Sequence, residues 1–200
     1  MKSSLFQTVS YLGKEIIIKR DDQIDETLNG NKYYKLYGLL EHLNKTQNFD
    51  KKIVSMGGVQ SNFMQALSAL CHCYQIPLDY WVRTIPKTLL THPNANLAFA
   101  LKHGMALKVA SKEAVFDKTH ILRHYQGQKM LWLNQGGADR FSQVGFKLLA
   151  KQIQDYCDKK HGSQATIFMP SGTGASMLFL RRYLPAQYTV ATVPCIGDKK

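Results

Sequence analysis

The chain has 200 residues, with 26 Lys and Arg against 14 Asp and Glu, a net charge of +12 at pH 7; its 44% hydrophobic content is enough for a buried core and excludes general disorder. No run of about 18 uncharged apolar residues is present to span a bilayer, and the opening Met-Lys-Ser-Ser-Leu-Phe-Gln-Thr is too polar for a signal peptide's apolar region. The cysteines, Cys71, Cys73, Cys157 and Cys195, form no CxxC pair and are too sparse for a disulfide framework, so a reduced, cytoplasmic protein is expected.

In chain order, residues 15–19 read as a strand. Residues 31–46 read as a helix, with Leu36, Leu39, Leu40 and Leu43 at i, i+3, i+4, i+7 spacing. Residues 52–56 form a short apolar strand. Residues 61–74 form a helix with Phe63, Ala66, Leu67, Leu70 and Tyr74 on one face. A strand over 78–83, a helix over 94–103, a strand over 106–110 and a helix over 112–124 follow. The remainder reads as strand 129–133, helix 141–160, strand 165–169, helix 174–183 and strand 188–195. Such alternation predicts an α/β protein of mainly parallel open sheets, with helices on both faces and right-handed crossovers. The last strand breaks the pattern, because residues 188–196 are apolar apart from two threonines and Pro194, and no covering helix follows. Three readings stand: a partner chain covers the strand, the sequence is the front of a longer protein, or the strand is an edge blunted by Pro194 and the terminal lysines.

The positive charge is scattered, with only short clusters such as Lys51-Lys52, Lys159-Lys160 and Arg181-Arg182. A basic nucleic-acid-binding module is an alternative that rests on charge alone, without zinc-finger spacing or an RNP-type aromatic motif. A small anionic ligand fits the same charge.

Ligands of open α/β sheets bind beyond the carboxyl ends of the strands, so the loops there carry the chemistry. At about 100° per residue, Lys32 falls within about 30° of the middle of the leucine stripe of its helix. It is either a first-turn lysine snorkelling into solvent or an amine held in a pocket, where desolvation would make it a usable nucleophile or base. Gly57-Gly58-Val59-Gln60-Ser61-Asn62 follows a strand and opens a helix; it is an ordinary N-cap or a carboxylate site built on helix N–H groups. Pro170-Ser171-Gly172-Thr173-Gly174 occupies the same position after a later strand and suits a phosphate, but it lacks the Lys of a Walker A loop and the third Gly of a dinucleotide loop. Gly136-Gly137 is a further turn. Cys71-His72-Cys73 points its residues in different directions with no second pair, so no metal is expected. There is no HExxH and no GxSxG.

A lysine, a carboxylate loop and a phosphate loop together suit pyridoxal 5'-phosphate. Lys19-Arg20-Asp21-Asp22, Gly30-Asn31-Lys32 with Lys35-Leu36, Gly57-Gly58-Val59-Gln60-Ser61-Asn62, Gln135-Gly136-Gly137 and Ser171-Gly172-Thr173-Gly174 stand in this order. In that order and wording the chain resembles fold-type-II pyridoxal-phosphate enzymes of the tryptophan synthase beta-like superfamily, in the branch of 1-aminocyclopropane-1-carboxylate deaminase and D-cysteine desulfhydrase. The resemblance implies that Lys32 holds the cofactor as a Schiff base and exchanges the substrate's Cα proton. It implies that Asn62 bonds the ring hydroxyl oxygen, that Gln60, Ser61 and Asn62 receive the substrate, with Ser61 assisting proton transfer, and that Ser171, Gly172, Thr173 and Gly174 hold the phosphate. The expected reaction is deamination or elimination on a small amino acid, releasing ammonia and a 2-oxo acid. A homodimer is expected, with no membrane or nucleic-acid partner. The expected domains are a larger cofactor-binding part, 1–34 and 135–200, incomplete at its C-terminus, and a smaller α/β part, 35–134. Phe63 stands where the family usually has a polar residue, and the family's later region, which supplies the ring-nitrogen partner, is absent. An inactive remnant and another fold-type-II activity are the remaining alternatives.

Overall fold

The computed structural model describes residues 4–46, 48–111, 116–160, 162 and 164–195. Contacts divide the chain into two compact units, Met1–Tyr33 with Leu40–Gly137 and Tyr34–Leu39 with Ala138–Lys200.

The first unit begins with an antiparallel hairpin, β1 (Phe6–Tyr11) and β2 (Lys14–Lys19). Its two-residue turn has Leu12 and Gly13 at φ of 50° and 71°, the mirror-image type whose twist matches the strands. The polar β1 carries little apolar signal and is absent from the sequence reading; β2 is present there. The Lys19-Arg20-Asp21-Asp22 motif braces the exit from this hairpin. Lys19 Nζ donates to Ser4 Oγ and Asp21 Oδ1, and Arg20 forks onto Asp22 at 2.9 and 2.7 Å.

The heart of this unit is a four-stranded parallel sheet of β3 (Lys52–Met56), β4 (Leu78–Val82), β5 (Ala106–Val109) and β6 (Met130–Leu133), in the order β5-β4-β3-β6. The chain winds outward from β3 to β5 and then returns to the other side of β3. The strand order therefore reverses beside β3, and the loops leaving β3 and β6 flank that reversal, where open sheets open a crevice. Every residue of β4 is buried, as a central parallel strand covered on both faces requires. Around this unit's strands run α2 (Asn62–Cys73), α3 (Lys87–Thr91), α4 (Ala95–Lys102) and α5 (Lys118–Arg123). α2 packs against both the sheet and α4, so Met64, Ser68, Ala69 and Cys71 are buried beyond its expected apolar face. The expected helix over 112–124 starts at Lys118 among the described residues; 112–115 lie outside them. Five-residue α3 has no apolar period and was not foreseen.

α1 (Gly30–Lys45) contributes residues to both units. The second unit adds α6 (Arg140–Lys160), β7 (Ala165–Ser171), α7 (Ala175–Tyr183) and β8 (Tyr188–Pro194) to the Tyr34–Leu39 stretch. That stretch and α6 cross closely: a Cβ on Gly145 would lie 1.8 Å from the Tyr34 carbonyl oxygen, and one on Gly38 would lie 2.4 Å from that of Phe141. Around the crossing Phe146 stacks on Phe179, and the Tyr34 hydroxyl donates to Gln152 Oε1 at 3.2 Å. β7 and β8 are parallel neighbours, and Arg181 ties α7 to them by donating to the Pro185 and Tyr188 carbonyls, each at 3.1 Å. One face of this pair packs on α7, while the opposite face exposes Phe168 and Val193. The last residue of the expected apolar run 188–196, and the four that follow it, lie outside the described residues.

Candidate functional site

Lys32 sits in the first turn of α1, reached through a segment pinned by Asp25, whose carboxylate accepts from the Thr27 and Leu28 amides at 3.1 and 3.2 Å. The lysine is half-buried, and its ammonium donates to the neutral Asn31 amide oxygen. Burial lowers its pKa from the ordinary lysine value, with no carboxylate opposing the shift. Lys32 is thus partly withdrawn from water rather than fully exposed on its helix. Lys19, also lowered by burial, differs in having Asp21 to offset the loss of water.

The loop after β3 carries Gly57, Gln60, Ser61 and Asn62. Ser61 caps α2, its Oγ accepting from the Phe63 and Met64 amides at 3.2 and 3.3 Å. The hydroxyl proton remains, so the cap and an anion-donor role coexist in one side chain. Gly57 is required by sterics, because a Cβ there would stand 2.2 Å from the Tyr80 hydroxyl. That hydroxyl is fully buried and makes no hydrogen bond of standard geometry among the described residues. Burial pushes the Tyr80 phenol up to about 12, while the neighbouring Ser61 hydroxyl pulls the other way.

Gln60 and Asn62 are drawn toward the start of α4. Gln60 Oε1 accepts from the Leu97 amide at 3.2 Å, and its Nε2 donates to the Asn94 carbonyl at 3.3 Å. Asn96 Nδ2 donates to the Gln60 carbonyl at 3.0 Å and to Asn62 Oδ1 at 2.7 Å. Gln60, assigned to substrate by resemblance, thus has both ends of its amide engaged with α4. No hydrogen bond among the described residues joins Lys32 to Ser61 or Asn62.

After β6, Gly136 and Gly137 hold φ of 64° and 72°. A Cβ on Gly137 would press to 2.5 Å against the ring of Phe63. Phe63 is 1% exposed and packs its ring against this turn.

In the second unit, Ser171 is buried and its Oγ accepts from the Gly174 amide at 2.8 Å. Gly172 and Thr173 are exposed, and Gly174 takes φ 79° at the start of α7, which has no side-chain cap. The uncapped first turn and exposed glycine loop suit a phosphate, although the Gly174 N–H is already committed. Among the described residues no group of three His, Cys, Asp or Glu could hold a metal ion. Burial raises the Cys71 thiol to about 12, far from a reactive thiolate.

Tyr80, Asn94 and Asn96 escaped the sequence reading. Tyr80 looks like any aromatic of a buried strand, and Asn94-Ala95-Asn96 like an ordinary helix start.

No protein-family model matches the chain. Among curated proteins, it is 27% identical over 188 residues to a Thermotoga maritima protein provisionally named 1-aminocyclopropane-1-carboxylate deaminase, covering 86% of this chain and 57% of that protein. A D-cysteine desulfhydrase of Salmonella newport is 25% identical over 171 residues, covering 82% and 51%. Among solved structures, a 1-aminocyclopropane-1-carboxylate deaminase homologue superposes with a TM-score of 0.69 at 19% identity, covering 90% of this chain and 56% of that one. A hydrogen sulfide-producing enzyme of Fusobacterium nucleatum gives 0.62 at 12% identity, covering 90% and 58%. A pyridoxal 5'-phosphate-dependent aspartate racemase gives 0.62 at 14%, covering 95% and 56%. The fold is the α/β fold of the tryptophan synthase beta-like pyridoxal-phosphate enzymes. The chain spans about half the length of the curated relatives it matches.

Proposed function

We propose that this chain carries the cofactor-binding residues of a pyridoxal-phosphate enzyme acting on a small amino acid of the 1-aminocyclopropane-1-carboxylate or D-cysteine type, with release of ammonia and a 2-oxo acid. The half-buried Lys32, whose amine loses its proton more readily than an ordinary lysine, carries this reading. The glycine loop before α7 supports the same reading, since that helix start has no side-chain cap and Gly172 and Thr173 are exposed.

Lys32 would hold the cofactor through its Nζ and would be the group that moves a proton at the substrate's Cα. The Ser61 hydroxyl and the amides of its loop would hold the substrate carboxylate and so orient the bond to be broken. Asn62 would bond the ring hydroxyl oxygen, and the Ser171 to Gly174 loop would bind the phosphate through backbone N–H groups other than that of Gly174, which Ser171 Oγ holds. Bound pyridoxal phosphate supplies an aldehyde for the amine and an electron-accepting ring that takes up the electron pair left at Cα.

Titrating the protein with pyridoxal phosphate should produce a visible absorbance band that Lys32→Ala abolishes. A spectrum unchanged by the wild-type protein sinks the proposal. Ammonia or sulfide released from 1-aminocyclopropane-1-carboxylate or D-cysteine would distinguish turnover from cofactor binding alone.

A further inference from the structure

We propose that Asn96 is a positioning residue that decides which end of the Asn62 side-chain amide faces the cofactor ring. The inference rests on the cofactor reading above and adds a residue that the shared motifs do not contain.

The argument starts from an atom whose chemistry is unambiguous. The Gln60 carbonyl oxygen can only accept, so the Asn96 atom 3.0 Å away is its NH2 group. The same nitrogen lies 2.7 Å from the Asn62 amide, so the Asn62 atom facing it is the oxygen, Oδ1. Both Asn96 amide hydrogens are now placed. Asn62 Nδ2 is left facing the other way, with no hydrogen-bond partner among the described residues. A ring hydroxyl oxygen that ionises needs a donor there; a reversed amide would offer it lone pairs instead.

Asn96 is itself held. Gln60 Oε1 accepts from the Leu97 amide at 3.2 Å, and Gln60 Nε2 donates to the Asn94 carbonyl at 3.3 Å and to Asn94 Oδ1 at 3.2 Å. The first turn of α4 is thereby fastened to the loop before α2, and the orienting donor comes with it. Gln60 fixes Asn96, Asn96 fixes the Asn62 amide, and Asn62 presents N–H outward.

Asn96→Asp tests this directly. A carboxylate can only accept, so it repels the Gln60 carbonyl and Asn62 Oδ1, attracts Asn62 Nδ2 and turns the amide round. Pyridoxal-phosphate affinity, read from the visible band, should fall about tenfold or more, the cost of losing a hydrogen bond to a charged oxygen. The pH midpoint of the band should rise, because the ionised ring oxygen has lost a donor; a merely structural role would not move it. The doubly substituted Asn62→Ala, Asn96→Asp protein should bind no more weakly than Asn62→Ala alone, since Asn96 acts through Asn62. Asn96→Ala removes the donor without adding charge and should give a smaller loss. Urea midpoints identify which variant keeps its fold, and the titration is read on that one. Wild-type affinity in a folded Asn96 variant, or losses that multiply in the double variant, overturns the role of Asn96 while leaving the cofactor reading intact. Absence of any band with the wild-type protein overturns both.

Discussion

At the scale of single residues, Lys32 is a group whose placement costs stability. Its pKa in the fold is lowered by burial from an unfolded value of about 10.4. Below the folded pKa both states carry the proton, and the penalty for burying the charge is felt in full. As pH rises toward the unfolded value, the folded lysine sheds its proton first and the penalty shrinks; above that value it is gone. Lys32→Met should therefore raise the urea midpoint at pH 7, with the gain fading as the pH approaches about 10.4. A variant less stable than wild type at pH 7 would show that the ammonium has favourable contacts which outweigh its burial. Lys32 was legible in the sequence because its angular position on α1 could be computed from spacing. Asn96 was not, because its role depends on a hydrogen bond across 34 residues to Asn62 that no local pattern announces.

At the scale of elements, spacing located most helices and strands, and the caps account for small differences. Ser61 and Tyr74 end the expected helix over 61–74 as N-cap and C-cap of α2. Periodicity could not show how closely helices approach. Gly38 and Gly145 read as weak helix formers, yet each removes the side chain that would collide with a facing backbone carbonyl. The polar β1 was missed for the converse reason, since its partner β2 supplies the pairing that its own composition does not. Gly145→Ala would raise helix propensity by about 1 kcal/mol but must place a methyl 1.8 Å from the Tyr34 carbonyl oxygen, backbone that cannot swing aside. The clash wins, and the net loss should be about 1–3 kcal/mol in urea unfolding. An unchanged or raised midpoint would mean the two helices slide apart at no cost.

At the scale of the molecule, net charge and exposed apolar surface act against each other. The +12 charge sets up mutual repulsion between copies, which keeps proteins soluble. The β7–β8 pair supplies the opposing attraction. Register places Phe168 beside Ala191 and Pro170 beside Val193 on the same face, and Phe168 is 62% exposed and Val193 49%. A two-stranded parallel sheet with an apolar open face is adhesive once charge no longer keeps copies apart. Salt removes that protection, because the screening length falls from about 10 Å at 0.1 M to about 3 Å at 1 M. Light scattering should therefore show little association at low ionic strength and rising association as sodium chloride is added. Replacing Phe168 and Val193 together by serine should suppress the rise, since screening leaves the substituted face without apolar area to bury. If salt reduces scattering, or if the doubly substituted protein associates like wild type, the attraction lies elsewhere, and the hairpin with Ile16, Ile17 and Ile18 exposed becomes the surface to substitute next.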